Sequence, residues 1–178
     1  MKLKKFKFKK VKSTNNTAIK IAKSLNYKSG MVISDTQLNG RGQYGKKWIS
    51  NKGNLFVSFF HELSLSNISI SKITNINCLL VKKLLSKYTK KKIIFKKPND
   101  LLVDKKKISG ILQETIFFSN KIFLITGIGI NINTNPTINN YPATNMCELT
   151  KKSITKVNVE NDLKKFFEKN LAKLYKIK

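Results

Sequence analysis

Apolar residues recur along the chain at two spacings, and each spacing predicts a different kind of element. Alternating or continuous apolar stretches predict β-strands. These stretches lie at residues 5–12, 31–33, 55–60, 93–95, 101–103, 108–118 and 122–132. Residues 122–132 are apolar on both faces and therefore predict a strand in the centre of a sheet. The charged residues 104–106 between two of the strands predict the tight turn of a hairpin.

Apolar residues three and four positions apart predict three helices. The first follows the helix-capping residues Ser13, Thr14 and Asn15, and we expect Gly30 to end it. The apolar stripes are Ala18, Ile21, Ala22 and Leu25 in the first helix, Ile73, Ile76, Leu80 and Leu84 in the second, and Leu163, Phe166, Phe167, Leu171, Leu174 and Tyr175 in the third. Strands and helices do not alternate regularly. The expected fold class is therefore α+β, a mixed sheet with helices on one face, and not a doubly wound fold.

The charge of the chain is strongly positive, but its distribution is not that of a dedicated nucleic-acid binder. The 178 residues include 36 Lys or Arg against 9 Asp or Glu, a net charge of +27. The lysines are spread along the whole chain, and Arg41 is the one arginine. Nucleic-acid recognition usually depends on arginine, so lysine as a general surface residue explains the charge better. A basic nucleic-acid-binding domain nevertheless stays open as an alternative.

The apolar stretches, the first ten residues and the cysteines of the sequence together indicate the compartment of the protein. No apolar stretch approaches the ~20 residues that a membrane-spanning helix needs. The first ten residues have many lysines but no apolar run, so they do not resemble a secretory signal. The two cysteines, Cys78 and Cys147, are too few for a disulfide framework or a zinc cluster. We therefore expect a cytoplasmic protein with no membrane partner.

The loop between the second and third predicted strands carries candidate binding residues. Residues 40–45 match the pattern Gly-x-Gly-x-x-Gly, but the segment that follows has no helical stripe. The match therefore fails the structural context of a dinucleotide-binding fold. What remains is a glycine loop whose N–H groups can approach an anion. Because this loop also holds Arg41 and the single tryptophan, Trp48, ligand binding explains it better than an idle surface loop does.

Five motifs in a fixed order carry a resemblance to a known family. They are Ser13, Thr14 and Asn15; Gln37 to Gly42 with Trp48; Lys96 to Asp100; Lys107 to Glu114; and Gly127 to Asn133. Together they closely resemble the catalytic domain of biotin protein ligases, the biotin–acetyl-CoA-carboxylase ligases. The resemblance runs from about Lys10 to the C-terminal helix. It implies the biotin/lipoate ligase-like fold, which is similar to that of class II synthetases.

The resemblance implies a reaction in two steps. The carboxylate of biotin attacks the α-phosphate of ATP, and a lysine of the biotin carboxyl carrier protein of acetyl-CoA carboxylase then takes the biotinyl group from biotinyl-5′-AMP. The reacting carboxylate and phosphates repel one another, so the site must supply cations. By resemblance, Lys96 is the principal catalytic residue and Arg41 the second. ATP and Mg²⁺ are the expected substrate and counter-ion, and biotin is the second substrate.

The resemblance also assigns the binding residues. It implies that biotin is bound by Ser13, Thr14, Asn15, Gln37, Gly40, Arg41, Gly42, Gln43, Lys96 and Gly110. It implies that the nucleotide is bound by Lys46, Trp48, Asn99 and Asn131. No metal ligand is firmly assigned, although Asp100 could hold Mg²⁺ through its water shell. Ser13 and Thr14 can also serve as helix caps, and Trp48 can stack on adenine, pack the closed loop or belong to an ordinary core.

Departures from the family pattern add further expectations. Gln43 stands where many members have arginine, so we expect biotinyl-AMP to be released faster unless Lys46 or Lys47 compensates. Lys97 stands where many have tryptophan, which affects local packing. We expect residues 1–178 to be a single catalytic domain with no N-terminal DNA-binding domain and no C-terminal β-barrel, either monomeric or a weak homodimer. A lipoate or octanoate ligase of the related fold remains the nearest alternative.

Overall fold

Seven strands form one sheet in the computed structural model, which describes residues 2–24, 26–63, 69–137, 141–150 and 154–175. The strands are β1 (Lys4–Val11), β2 (Ser29–Gln37), β3 (Leu55–Leu63), β4 (Ile94–Lys96), β5 (Asp100–Val103), β6 (Lys106–Phe118) and β7 (Lys121–Ile130). The helices are α1 (Thr14–Lys23), α2 (Ile70–Leu85), α3 (Met146–Thr150) and α4 (Lys156–Tyr175). A 3-10 turn, Gln43–Gly45, interrupts the long loop between β2 and β3.

The sheet is mixed, as the sequence predicts. Its strand order is β1-β2-β3-β7-β6-β5-β4. β1 pairs with β2 in parallel, and the other neighbouring pairs are antiparallel. β7 is the fourth of the seven strands, so the prediction that it is central is confirmed. The predicted hairpin joins β5 to β6 through Asp104 and Lys105, whose positive φ angles of 49° and 64° suit a two-residue turn.

Helices cover both faces of the sheet, so the prediction of helices on one face is wrong for α1. Side chains alternate along β2: Met31 and Ile33 belong to the large apolar core beneath α2 and α4, while Val32 faces the other way. On that second face Val32 packs with Ala18 and Ala22 of α1 in a smaller cluster. The apolar stripe of α1 was predicted correctly, but a stripe does not state which face of a sheet it will cover.

The boundaries of the first helix differ from the prediction at its C-terminal end. Ser13 is the N-cap, as expected, and its hydroxyl accepts a hydrogen bond from the Asn16 N–H at 3.4 Å. The helix ends at Lys23, whereas Gly30 lies within β2, where a Cβ atom would come within 2.6 Å of the Phe60 ring. Leu25 of the predicted stripe is outside the described residues, as are the side chains of Leu174 and Tyr175.

The predicted apolar stripe is confirmed in the described part of α4, where Leu163 and Phe167 are buried, and only in part in α2. Ile73 and Leu84 of α2 are buried, but the predicted Ile76 and Leu80 are half-buried, and the buried side of the helix is completed by Asn77, Cys78 and Val81. Among the helices that the structure describes, none combines the length and apolar character needed to cross a membrane. α2 and α4 pack on the sheet with one side, while Leu79 of α2 and Val157 of α4 are exposed on the other.

Asn54 fixes the end of the long loop just before β3. Its side-chain oxygen accepts hydrogen bonds from the N–H groups of Ile132, Asn133 and Thr134 at 2.9, 3.1 and 3.2 Å. Its amide nitrogen donates to the Thr134 carbonyl at 3.0 Å. Because Asn54 is buried, these bonds tie the loop to the segment that follows β7.

Candidate active site

A cavity of about 810 Å³ opens on the α1 face of the sheet. Its floor includes Gly110 of β6 and Gly127 and Gly129 of β7, which carry no side chains to fill the space. The N-terminus of α1, the loop between β2 and β3, and the turn between β4 and β5 form its walls. The size is that of a pocket for a drug-sized or nucleotide-sized ligand.

The fold brings most of the predicted site residues to this one cavity. Those that line it are Ser13, Thr14, Asn15, Gln37, Arg41, Gly42, Gln43, Lys46, Trp48, Lys96, Asn99, Asp100 and Gly110. Gly40 and Asn131 are described but do not line it. Several lining residues were not assigned from the sequence, among them Tyr44, Lys47, Lys107, Leu112 and Tyr141.

At the α1 end of the cavity, Gln37 and Thr14 hold each other in place. The Gln37 side-chain oxygen accepts hydrogen bonds from the Thr14 N–H at 2.8 Å and from its hydroxyl at 3.0 Å. The Gln37 amide nitrogen donates to the Ser50 hydroxyl at 3.0 Å. These hydrogen bonds fix the orientation of both polar side chains.

Asn15 lies deeper and connects α1 to two strands. Its amide nitrogen donates to a Glu114 carboxylate oxygen at 2.7 Å, and its oxygen accepts from the Ser58 hydroxyl at 2.5 Å. A Cβ atom at Gly127 would overlap the Asn15 oxygen, so only glycine leaves room for this side chain. The sequence analysis assigns no role to Ser58 and names Glu114 only as the end of the fourth motif, because a local pattern does not identify a partner so far along the chain.

Arg41 is paired with a carboxylate of the protein itself. One terminal nitrogen, Nη2, donates to both oxygens of Glu114 at 2.8 and 2.7 Å. The sequence analysis expected the guanidinium to serve a ligand, and the side chain does line the cavity. Its predicted role toward biotin stays a prediction, and the protein-internal partner is a new finding.

The glycine loop folds back on itself above the cavity. The Gly42 N–H donates to the Lys46 carbonyl at 2.6 Å, and the Trp48 N–H donates to the Gly40 carbonyl at 2.9 Å. Gly40 is buried, and a Cβ atom there would overlap the Trp48 carbonyl oxygen, so its described contribution is backbone pairing. Gly45 has a φ of +72°, which glycine adopts without strain.

Trp48 lies flat on the glycines of the cavity floor. A Cβ atom at Gly110 would come within 2.6 Å of the indole ring, and one at Gly129 would overlap it outright. The Lys107 ammonium is 5.0 Å from the indole centroid, within the range of a cation–π contact. The indole N–H is buried and has no hydrogen-bond partner among the described residues. Of the uses predicted for Trp48, the structure shows the packing of the loop onto the sheet.

Asp100, the candidate for a metal site, has a partner at each oxygen. Lys107 lies 2.7 Å from Oδ1, and the Tyr141 hydroxyl donates to Oδ2 at 2.5 Å. The Tyr141 ring also lies beneath the ammonium of Lys96, at 5.0 Å, and that of Lys107, at 5.3 Å. Burial, together with the nearby Asp100, raises the pKa of Tyr141 above its usual value, so the phenol remains a donor at neutral pH.

Lys96 ends β4 at the rim of the cavity, and the turn after it is docked on β6. The Asn99 amide nitrogen donates to the Ile111 carbonyl at 2.8 Å, and the Ile111 N–H donates back to the Asn99 carbonyl at 3.0 Å. These two bonds fix the direction of the turn and hence the positions of Lys96 and Lys97. Asn99 therefore supports the site through its contacts with the sheet.

Asn131 lies behind the cavity, beside Trp48 and Tyr141. It is fully buried, and its amide nitrogen donates to the carbonyls of Thr144 at 3.1 Å and Lys107 at 3.3 Å. Its side-chain oxygen has no hydrogen-bond partner within the described part of the chain. Asn131 lines a separate space of about 40 Å³, enough for a water molecule and adjacent to the main cavity.

The electrostatic character of the cavity suits an anion. Its lining includes one arginine and five lysines, which are Arg41, Lys46, Lys47, Lys96, Lys97 and Lys107. The one acidic lining residue, Asp100, is already paired with Lys107. Within the described residues, no three His, Cys, Asp or Glu side chains come together as a metal-binding group. The protein thus offers positive charge here and no ready set of metal ligands.

Comparisons with known proteins place these features in a family. The profile of the biotin/lipoate A/B protein ligase family matches residues 7–133. The bifunctional ligase/repressor BirA of Bacillus subtilis is 28% identical over 165 residues, which cover 88% of this chain and 50% of that protein. The Escherichia coli BirA is 33% identical over 108 residues, 59% of this chain and 34% of that one. The chain thus spans half or less of the length of these relatives.

A solved structure matches the fold over nearly the whole chain. The biotin protein ligase of Aquifex aeolicus, in complex with biotin and ATP, is 30% identical to the chain. The two superimpose with a TM-score of 0.78 over 97% of this chain and 72% of that one. The sheet and the elements around the cavity are therefore those of a known fold.

Proposed function

The chain belongs to the biotin/lipoate A/B protein ligase family, and from this premise we propose that it is an ATP-dependent biotin protein ligase. It activates biotin as biotinyl-5′-AMP and transfers it to a lysine of a biotin carboxyl carrier protein. The observation that carries the proposal is that residues of five sequence motifs, far apart along the chain, meet in one cationic cavity. The Aquifex relative, matched over 97% of this chain, binds the two substrates that such a cavity suits.

The proposed chemistry consists of two displacements. A biotin carboxylate oxygen attacks the α-phosphorus of ATP, the bond to the β-phosphate oxygen breaks, and pyrophosphate leaves. The ε-amine of the carrier lysine then attacks the carbonyl of the mixed anhydride, loses a proton and expels AMP. In the first step two anions meet, so fixed cations lower the barrier more than they stabilise the separate substrates. Lys96 at the rim and Arg41 in the loop are proposed to supply that charge.

The two ends of the cavity offer different chemistry for the two substrates. At the α1 end, Ser13, Thr14 and Gln37 present hydroxyl and amide groups, which match the donors and acceptors of the biotin ring system. At the other end the indole ring of Trp48 offers an aromatic surface for adenine. Asn131 lies in the adjacent space behind this ring, so its proposed contact with the nucleotide requires the loop to move. Lys46 and Asn99 are proposed to contact the nucleotide as well.

Mg²⁺ enters the proposal as the counter-ion of ATP, not as a resident metal. The two carboxylates nearest the cavity are already engaged, Asp100 by Lys107 and Tyr141 and Glu114 by Arg41 and Asn15. The residues present therefore do not form a metal site, and the proposed role of Asp100 in holding a hydrated Mg²⁺ is weakened. No step of the proposed reaction depends on a protein-bound metal.

The relatives favour biotin over the alternatives. The Aquifex protein, at 30% identity, is described as a biotin protein ligase, whereas the lipoate protein ligase of Thermoplasma acidophilum is 11% identical to the chain and shares the fold alone. A nucleic-acid-binding function is supported by net charge alone, which accounts equally for non-specific binding. The carrier partner, the cytoplasmic location, the monomeric or weakly dimeric state and the single-domain description of residues 1–178 remain predictions.

Transfer of labelled biotin to a carrier domain tests the proposed function. With ATP, Mg²⁺, labelled biotin and a biotin carboxyl carrier domain, we expect label on one carrier lysine and release of AMP and pyrophosphate. A carrier domain whose acceptor lysine is replaced by arginine is the control and should remain unlabelled. Transfer of lipoate or octanoate but not of biotin would show that the alternative ligase is correct, and no transfer of either acyl group would contradict the proposal.

Gln43 gives a second test, because it replaces a cation that many family members place beside the adenylate. Gln43→Arg is expected to slow the release of bound biotinyl-AMP about tenfold, the effect of one added hydrogen bond to a charged group. The measurement is the dissociation rate of labelled adenylate after dilution. Asn51→Arg adds the same charge to an exposed residue of the same loop that does not line the cavity, and it serves as the matched control. Equal release rates in wild type and Gln43→Arg would show that Lys46 or Lys47 already compensates.

A further inference from the structure

The single arginine of the chain joins the loop above the cavity to the sheet beneath it. Arg41 lies in the loop, Glu114 lies on β6, and the two are 73 positions apart in sequence. Their side chains are 36% and 24% exposed, so the ion pair is partly shielded from solvent. The pair closes the open side of the loop against the strand that carries the cavity floor.

The Glu114 carboxylate is itself held in place by a hydrogen bond from a buried side chain. Asn15 donates to the carboxylate at 2.7 Å, and Ser58 donates to Asn15 at 2.5 Å. Asn15 and Ser58 are buried, and Gly127 leaves the space that Asn15 occupies. The carboxylate therefore has a fixed position on the sheet, and a residue that binds it acquires a fixed position too.

The geometry of the guanidinium distinguishes a positioning contact from a simple charge pair. Both carboxylate oxygens bind Nη2, and Nε is buried without a hydrogen-bond partner among the described residues. Glu114 thus binds one terminal nitrogen of the guanidinium and leaves the other N–H donors of Arg41 for a ligand in the cavity that Arg41 lines. It also offsets the charge of Arg41, which argues against a role for Glu114 in attracting the anionic substrates.

We infer that Glu114 is a positioning residue that acts through Arg41, holding the loop closed over the cavity before and during the reaction. Its loss opens the loop more often and lets the bound intermediate escape, while the attack on the α-phosphate is affected little. The kinetic part of this inference rests on the proposed function; the closure of the loop does not.

The indole N–H of Trp48 reports loop closure without any substrate. It is buried under the loop, and it gives a single resonance because the chain has one tryptophan. Its exchange with solvent requires opening, so the rate follows the open population. Glu114→Gln is expected to accelerate this exchange about three- to tenfold, the value of a partly shielded, charge-assisted pair. Arg41→Gln removes the same pair from the loop side and should give the same acceleration.

The matched control is Glu62→Gln, which removes a carboxylate that pairs with Lys121 at 3.1 Å on neighbouring strands away from the cavity. It should leave indole exchange unchanged. In the Arg41→Gln background, Glu114→Gln should add nothing further, because residues that act as one unit are not additive. Unchanged exchange in Glu114→Gln, or a further increase in the double variant, would overturn the inference. If Glu114→Gln does not fold, the single variant Arg41→Gln decides the question. An indole exchange rate in Arg41→Gln equal to that of the wild-type protein would then overturn the inference.

The kinetic readout separates positioning from chemistry. Glu114→Gln should release labelled biotinyl-AMP about three- to tenfold faster, in proportion to the exchange rate, while single-turnover pyrophosphate formation at saturating substrates stays within about twofold of wild type. A loss of the chemical step with unchanged release would contradict the role assigned to Glu114. If the wild-type protein forms no adenylate, the proposed function fails, and the exchange experiment still decides the contact between Glu114 and the loop.

Discussion

Lys96→Ala is expected to lower the rate of adenylate formation by about 10²- to 10³-fold, the usual cost of removing one preorganised charge at a reacting centre. Lys96 ends β4 at the cavity rim, and its ammonium lies 5.0 Å from the Tyr141 ring. The side chain is exposed, so its truncation should change the free energy of unfolding little. Single-turnover release of pyrophosphate at saturating biotin and ATP isolates the chemical step.

Lys92→Ala is the matched control for this prediction. Lys92 is an exposed lysine just before the same strand and does not line the cavity. Its removal changes the net charge equally and should leave the rate near that of wild type. Lys96→Arg retains the charge with a different shape and should fall between the two. A rate in Lys96→Ala within about threefold of the Lys92→Ala rate would show that other cations carry the charge stabilisation that we assign to Lys96.

Gly129→Ala is expected to displace Trp48 from the cavity floor and to raise the KM for ATP about ten- to a hundredfold. The added Cβ would overlap Cε2 and Cζ2 of the indole, and the strand beneath it is the centre of the sheet. Overpacking of this kind costs about 1–3 kcal/mol, and the loop, not the strand, is free to yield. Emission from the single tryptophan should shift to longer wavelength, as expected for an indole moved into water.

A double-mutant cycle shows whether this effect comes from the clash with Trp48. Trp48→Ala removes the ring, so adding Gly129→Ala to it should change the KM for ATP little. The unfolding transition, followed by circular dichroism, should be similar in Gly129→Ala and wild type, because the loop moves and the core on the other face does not. An unshifted emission maximum with an unchanged KM would show that Trp48 does not need the space above Gly129.

Local patterns were sufficient to predict the elements but not how they meet. The strands, the stripe of α4 and part of the stripe of α2 follow from spacing, because a period of two or of 3.6 indicates which positions are buried. No spacing of apolar residues predicts that β1 pairs with β2 in parallel. Ala18 and Ala22 show that α1 has a buried side, yet both faces of β2 are apolar at residues 31–33 and accept a helix equally well. The sequence predicts that Gly30 ends a helix. In the structure Gly30 lies in β2, where a Cβ atom would come too close to the Phe60 ring.

In the candidate site too, the sequence predicts the chemistry of the residues but not which residues contact one another. Residue type and motif order identified Lys96, Arg41 and Trp48, since an anion-binding site needs cations and a flat ligand needs an aromatic ring. The partners of these residues depend on strand register and on the path of a loop. Glu114 meets Arg41 from 73 positions away, and Tyr141 meets Asp100 from 41 positions away. Tyr141 also follows a stretch with no clear periodicity, so its sequence gave no indication of a position in the cavity.

The two faces of the sheet have different roles: one holds most of the apolar core, and the other holds the cavity. The larger apolar core lies under α2 and α4, while the half of the opposite face beyond α1 carries the cavity, with glycines in its floor. Substitutions in the cavity therefore subtract little from the apolar burial that stabilises the fold. A scaffold of this kind is evolvable: ligand preference can change by drift or by design on one face while thermal stability is maintained by the other. Engineering of new acyl substrates should begin at the cavity floor and leave the core beneath α2 and α4 unchanged.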